Sequence, residues 1–224
     1  MESILARIEA AKDQPLLVVG SGDAFCAGLN LKEVASLDSE KMAAFVLLVE
    51  RTMVALFDHP APTVACVNGH AIAGGCILTL CCDCRVCTET PSVRIGVNEL
   101  ALGLVFPPKT LRIVKHRVPP RRLHEVVLRS RLAARRVAVG DGRRARRGSP
   151  DVGTSSVRAL AEERIRELAA LPPHAYAAAK RSLREGVTTI DPKAYEAELA
   201  EIMPAWTDER VKQLVSKQLS KPKA

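Results

Sequence analysis

Aromatic residues are scarce in this chain: one tryptophan, two tyrosines and four phenylalanines make up 3% of its 224 residues. Proteins that hold single-stranded nucleic acid stack bases on aromatic rings, so that class of partner is disfavoured. Long apolar runs are also missing. The longest is broken by polar residues well short of the roughly 20 that a membrane span needs. No basic segment followed by an apolar block opens the chain, so MESILARIEA reads as an amphipathic helix and not as a signal peptide. Glu2 and Glu9 argue against a mitochondrial transit peptide, which avoids acids. The seven cysteines are an odd number, and five of them (Cys76, Cys81, Cys82, Cys84, Cys87) crowd one apolar stretch. That cluster has no second Cys-x-x-Cys pair at zinc-finger spacing, and His70 is the only histidine near it. The cysteines therefore read as small core hydrophobes of a reducing compartment, and no metal site is expected.

The net charge of +8 invites a polyanion-binding reading. Its distribution argues otherwise. Eight arginines and one acid, Asp141, lie between residues 129 and 147, and the rest of the chain is close to neutral. This segment, RSRLAARRVAVGDGRRARRGSPDVG, has no helical or strand period and reads as a solvated, irregular stretch.

Before it, helix and strand alternate. Ile4, Leu5, Ile8 and Ala11 mark one helical face. LLVVG (16–20), TVACV (63–67) and DCRVCT (83–88) read as buried strands, and 39–57 reads as an amphipathic helix stopped by the prolines of DHPAP. SGDAFCAGLN, NGHAIAGG and RIGVNELALGLVFPPKT read as loops and turns. The alternation predicts an α/β fold with parallel strands. Helices are predicted at 108–117, 119–128, 155–171, 174–185, 193–202 and 208–219. There is no internal repeat.

Three segments can carry chemistry. Phe25-Cys26-Ala27-Gly28-Leu29-Asn30-Leu31 follows one strand, and Asn68-Gly69-His70-Ala71-Ile72-Ala73-Gly74-Gly75-Cys76 follows the next and opens a helix. Parallel neighbouring strands would bring both loops to one carboxyl edge. Small residues there let backbone amides approach a ligand, and the amide at a helix N-terminus favours negative charge. Ile95-Gly96-Val97-Asn98-Glu99-Leu100-Ala101-Leu102-Gly103 adds an acid among apolar residues, whose pKa burial would raise toward that of a useful base. His70 reads as structural or solvent-facing, Asp83 and Arg85 as a structural pair or strand-end charges, Lys180 and Arg181 as a solvated helix face, and Trp206 as helix packing.

In order and pattern, these three segments resemble the crotonase superfamily, also called the enoyl-CoA hydratase/isomerase family, over most of residues 5–128 and again over about 155–219. The resemblance implies an α/β fold with a crotonase-like ββα spiral core, N-terminally truncated, and a C-terminal helical region. It divides the chain into a core at 1–128, the arginine-rich segment at 129–153 and helices at 154–224. It implies that the Ala27 and Gly74 amides form an oxyanion hole for a thioester oxygen. It also implies that Ala27, Gly28, Leu29, Asn30 and Leu31 wrap coenzyme A, with Asn30 where aspartate is common and Lys32 near the phosphate end. Of the two glutamates of the hydratases, the first is replaced by Ile77 and the second is retained as Glu99. The extra aspartate of the dienoyl-CoA isomerases would fall near Pro107.

A single glutamate preceded by Gly-Val-Asn is most similar to the Δ3,Δ2-enoyl-CoA isomerases of fatty-acid β-oxidation. Glu99 would then be the base, and Asn98 would orient Glu99 or the substrate. An enoyl-CoA hydratase and a degenerate, inactive acyl-CoA-binding homologue are the alternatives. Implied as well are an acyl-CoA substrate with no other cofactor, no nucleic-acid or membrane partner, and a homotrimer or higher homo-oligomer. The compartment is expected to be cytoplasmic, with mitochondrial as the alternative.

Overall fold

A computed structural model describes residues 1–130, 132–134 and 154–219. Helix α1 (Glu2–Ala11) leads into strands β1 (Leu16–Val19) and β2 (Ala24–Cys26), then α2 (Leu31–Ser36) and α3 (Ser39–Asp58). The pattern repeats with β3 (Thr63–Val67), β4 (His70–Ile72) and α4 (Gly74–Cys81). It repeats again with β5 (Cys84–Cys87), β6 (Arg94–Gly96), a 3₁₀ turn over Glu99–Leu102 and α5 (Pro108–Arg117). Then come α6 (Pro120–Leu128), β7 (Ala133–Ala134), α7 (Thr154–Ala169), α8 (Pro173–Arg184), α9 (Pro192–Thr207) and α10 (Glu209–Leu219).

Each repeat sends its first strand to one sheet and its second to another. The first sheet runs β1-β3-β5, and the second β2-β4-β6-β7. All pairings are parallel except β6 with β7. This is the ββα spiral. All five residues of β3 are buried, as a strand covered on both faces requires. Its period of two divides them. Val64 and Cys66 pack with Val157 and Ala161 of α7, while Ala65 and Val67 join the main core with Met53, Leu80 and Ile95. A further apolar cluster joins Val34, Met42 and Val46 to Leu102, Leu104, Trp206, Val211 and Val215, so α9 and α10 close over α2 and the 3₁₀ turn.

Several expectations need correction. Strands β2, β4 and β6 lie in stretches read as loop or turn, and three residues are too few to display a period of two. Helix α9 continues past residue 202, through Pro204 to Thr207. Packing of Trp206, whose indole N–H donates to the Val105 carbonyl at 3.0 Å, outweighs the cost of the proline. Within the arginine-rich segment, Ala133 and Ala134 add an antiparallel strand to β6. Most of that segment, 135–153, lies outside the described residues.

Asp83 and Arg85 do not pair with each other, and Lys180 is not on a solvated face. Asp83 is the hub that fastens α8 to the start of β5. Its carboxylate accepts from the Thr63 amide (2.7 Å), the Tyr176 hydroxyl (2.9 Å), Lys180 (2.8 Å) and Arg184 (2.5 Å). Lys180 also donates to the Ala61 carbonyl at 2.9 Å, and Arg184 donates to the Phe57 carbonyl and lies over the Phe57 ring. Both cations are buried. Burial alone would raise the Asp83 pKa, but Lys180 and Arg184 outweigh it and hold the carboxyl below its ordinary range. Asp83→Asn would leave two buried cations without a counter-charge and is expected to cost about 3–5 kcal/mol. Urea denaturation at neutral pH tests this, and a loss under about 1 kcal/mol would show that the hub is not what holds α8.

Candidate active site

The chain leaves β2 at Ala27 and β4 at Ala73, and the two strands are parallel neighbours in the second sheet. Their ends are pressed together backbone to backbone. A Cβ on Gly75 would sit 2.0 Å from the Cys26 carbonyl oxygen, so only glycine fits. Gly28 adopts φ +98° and lies against Ala73. Ala73 itself is held at φ 52°, ψ −126°, which is strained for a residue with a Cβ, and its amide donates to the Gly96 carbonyl at 2.8 Å. α4 starts at Gly74 with no side-chain cap, which leaves first-turn amides free of side-chain partners at the site.

The other end of α4 is covered by cations. Arg117 donates to the carbonyls of Leu80 (3.0 Å), Cys82 (2.8 Å) and Asp83 (3.0 Å), and Arg85 donates to those of Thr79 and Cys82. Guanidinium charge at the C-terminus and free amides at the N-terminus both match the helix dipole.

Ala27 and Gly74 open onto a cavity of about 270 Å³. Its walls are largely apolar: Leu29, Leu31, Val49, Met53, Ile77, Leu102, Leu104, Phe106 and Trp206. Glu99 is the only ionisable side chain among the described residues that line it. It begins the 3₁₀ turn, is 8% exposed, and its Oε2 has no hydrogen-bond partner among the described residues. Burial raises its pKa from 4.5 to about 7, offset only in part by its own amide and that of Asn98. A carboxyl poised near neutral pH can both take and return a proton. Ile77 stands in the same cavity, and among the described lining residues no second carboxylate faces Glu99.

Of the residues singled out from sequence, Ala27, Leu29, Leu31, Gly74, Asn98 and Glu99 come together around this cavity. Gly28, Asn30 and Lys32 do not line it. Asn30 caps α2, its Oδ1 accepting from the Lys32 amide at 3.2 Å, and Lys32 is exposed. His70 is on β4, its Nδ1 accepting from the Arg94 amide at 3.0 Å. Trp206 packs between helices as expected and also walls the cavity.

The helix at 108–117 was predicted, but not that its start walls the cavity: Thr110 of α5 and Pro107 just before it both line it. Buried Glu50 of α3 accepts the Lys109 amide at 2.7 Å and the Thr110 amide at 3.4 Å, capping α5 from outside. The Tyr195 hydroxyl donates to the same carboxylate, and Arg112 makes a bidentate pair with Glu198 at 2.8 and 2.9 Å, so α5 is tied to α9. Nothing in the local sequence around Glu50 announces these partners, which lie 59 or more positions away.

Five of the seven cysteines are buried. Burial pushes the thiols of Cys76 and Cys82 up to about 12, so they stay protonated and act as apolar filling. Among the described residues, no three His, Cys, Asp or Glu side chains are grouped to hold a metal ion, and no helix is long and apolar enough to cross a membrane.

Residues 1–217 match the profile of the enoyl-CoA hydratase/isomerase family. Mouse enoyl-CoA delta isomerase 1, mitochondrial, is 30% identical over 179 residues, which cover 78% of this chain and 59% of that protein. Other curated relatives are likewise matched over 59% of their length or less. The crystal structure of human mitochondrial Δ3-Δ2-enoyl-CoA isomerase superposes with a TM-score of 0.85 at 20% identity, over 97% of this chain and 85% of that one. An enoyl-CoA hydratase from Bacillus halodurans does so with a TM-score of 0.78 at 16% identity, over 96% and 88%. At those identities the likeness is one of fold.

The raised pKa of Glu99 has a consequence for stability. Below pH 4.5 the carboxyl is protonated whether folded or not. As pH rises from there to about 7, the unfolded chain ionises first and stability falls, by about 3 kcal/mol in total. Glu99→Gln removes this dependence. Relative to the parent, the variant is expected to be more stable at pH 8 than at pH 5 by up to that amount. Urea denaturation of both proteins at the two pH values measures it, and a difference independent of pH would refute the raised pKa.

Proposed function

The chain belongs to the enoyl-CoA hydratase/isomerase family, and from that premise we propose that it converts 3-enoyl-CoA thioesters to 2-enoyl-CoA thioesters with Glu99 as its single base. The observation that carries this reading is that one carboxylate, with a pKa near 7, is the only ionisable group among the described residues that line an apolar cavity.

A double-bond shift needs a proton taken from one carbon and returned to another two bonds away, which one carboxylate can do. Ionised Glu99 takes a proton from C2, made acidic by the thioester. The C2 electron pair forms the C2–C3 double bond as the C3–C4 π bond opens, by way of a dienolate with charge on the thioester oxygen. The Ala27 and Gly74 amides would hold that oxygen, the role for which preorganised donors are worth most. Glu99 then delivers its proton to C4. Asn98, beside Glu99 in the chain and in the cavity wall, orients the carboxyl or the substrate. The Ala27–Leu31 segment and Lys32 would receive the coenzyme A portion. No further cofactor enters this scheme.

A hydratase would add water and use a second acid–base group, and Ile77 occupies the position that the resemblance assigns to it. The relatives' names include both activities. A homotrimer or higher homo-oligomer, and a cytoplasmic or mitochondrial compartment, complete the proposal.

The test is conversion of 3-hexenoyl-CoA to 2-hexenoyl-CoA by the purified full chain. The rate is expected to rise with pH to a plateau above about 7, since the ionised carboxyl is the reactive form. Glu99→Gln is expected to lower kcat by at least about 10²-fold. An unchanged rate in the variant would remove Glu99 from the mechanism.

A further inference from the structure

The cavity has a wet end and a dry end. Of the residues that line it, Ala27 and Leu132 are exposed, whereas Met53, Phe106, Thr110 and Trp206 are buried. A thioester whose oxygen meets the Ala27 and Gly74 amides lies toward the exposed end, and its acyl chain runs toward the buried one.

Two apolar clusters meet across this space. Met53, Ile77 and Phe106 belong to the main core, and Leu102, Leu104 and Trp206 to the cluster built with α2, α3, α9 and α10. The cavity is the seam between them, so its depth depends on what α9 presents to it. That side chain is Trp206, the largest among the described residues that line the cavity. Its indole N–H donates to the Val105 carbonyl at 3.0 Å, and Val105 is itself in the wall. Val211 and Val215 of α10 share its cluster, and Val211 in turn stands against Gly103, where a Cβ would be 3.0 Å from its Cγ2. The ring is therefore pinned on one side and packed into a filled cluster on the other.

Volume sets a limit. An apolar cavity of about 150 Å³ takes one benzene, six carbons. At the same filling, the cavity of about 270 Å³ takes about eleven non-hydrogen atoms. The thioester carbon, oxygen and sulfur occupy three of these places, which leaves about eight for the rest of the chain. A longer chain has to displace part of the wall, and overpacking a buried site is unfavourable.

We infer that Trp206 is a specificity-determining residue, whose indole ring ends the acyl pocket and limits the protein to thioesters with chains of up to about eight carbons. This inference rests on the acyl-thioester reading of the cavity. A smaller side chain at this position lengthens the cavity toward Val211 and Val215, where the new wall is still apolar. Each methylene newly buried there strengthens binding about fourfold.

The experiment measures binding of hexanoyl-CoA and dodecanoyl-CoA by titration calorimetry to the parent protein, Trp206→Phe and Trp206→Leu. Turnover of 3-hexenoyl-CoA and 3-dodecenoyl-CoA is measured beside it. The coenzyme A portion is common to all four thioesters, so its contribution cancels in the ratios. The parent is expected to favour the six-carbon chain at least about tenfold. The ratio shifts toward twelve carbons about fourfold in Trp206→Phe and at least about tenfold in Trp206→Leu, and the kcat/KM ratio moves the same way. The inference is overturned if the parent binds both chains equally. It is also overturned if both thioesters weaken alike in the variants with the ratio unchanged, as a purely structural tryptophan would cause. Trp206→Phe keeps an aromatic ring in the cluster and decides the matter if Trp206→Leu does not fold. Binding with the expected ratios but no turnover of either 3-enoyl thioester would remove the isomerase reading and leave this inference standing. Failure to bind any thioester would overturn both.

Discussion

Contact between two backbones is the constraint on which the site depends. The Cys26 carbonyl and Gly75 pack so closely that no side chain can stand between them. This contact fixes the end of β2 against the start of α4, and with it the separation of Ala27 from Gly74. The strain at Ala73 is the local cost, met by its hydrogen bond to Gly96 and by parallel pairing of β4 with both β2 and β6. Positioning of this kind owes nothing to side-chain rotamers and loses little to motion.

Around that fixed point the protein sets charge asymmetrically. One end of α4 meets the cavity with uncapped amides, and the other is covered by Arg85 and Arg117. A short distance away, Asp83 is surrounded by donors and held ionised, while Glu99 is surrounded by hydrocarbon and pushed toward neutrality. The two carboxylates differ only in their partners. Asp83 fastens α8 to the sheet, and Glu99 is left able to exchange a proton, at a cost in stability that its partners do not repay.

α5 and α9 form the cavity's far wall, and polar bonds hold them there. Glu50 caps α5, Tyr195 reaches the same carboxylate, and Arg112 grips Glu198. Their arrangement carries Thr110 and Trp206 to the cavity. It also explains how a helix with a proline in its last turns persists to Thr207.

The chain's own order of residues determined a good deal. The strands at 16–19, 63–67 and 84–87, most helices, and the three segments bearing Ala27, Gly74 and Glu99 were legible, because apolar period and small-residue turns are local signals, although of those strands only 63–67 is buried throughout, and 16–19 is half-buried with Val19 exposed. Strands β2, β4 and β6 were not, since three residues cannot show a period. Only the tertiary structure decided that Lys180 and Arg184 are buried against Asp83, that Asn30 and Lys32 stand apart from the cavity, and that Thr110 reaches it. The reason is the same in each case. Burial and pairing are set by partners tens of positions away, and no local pattern in the sequence encodes which partner will arrive.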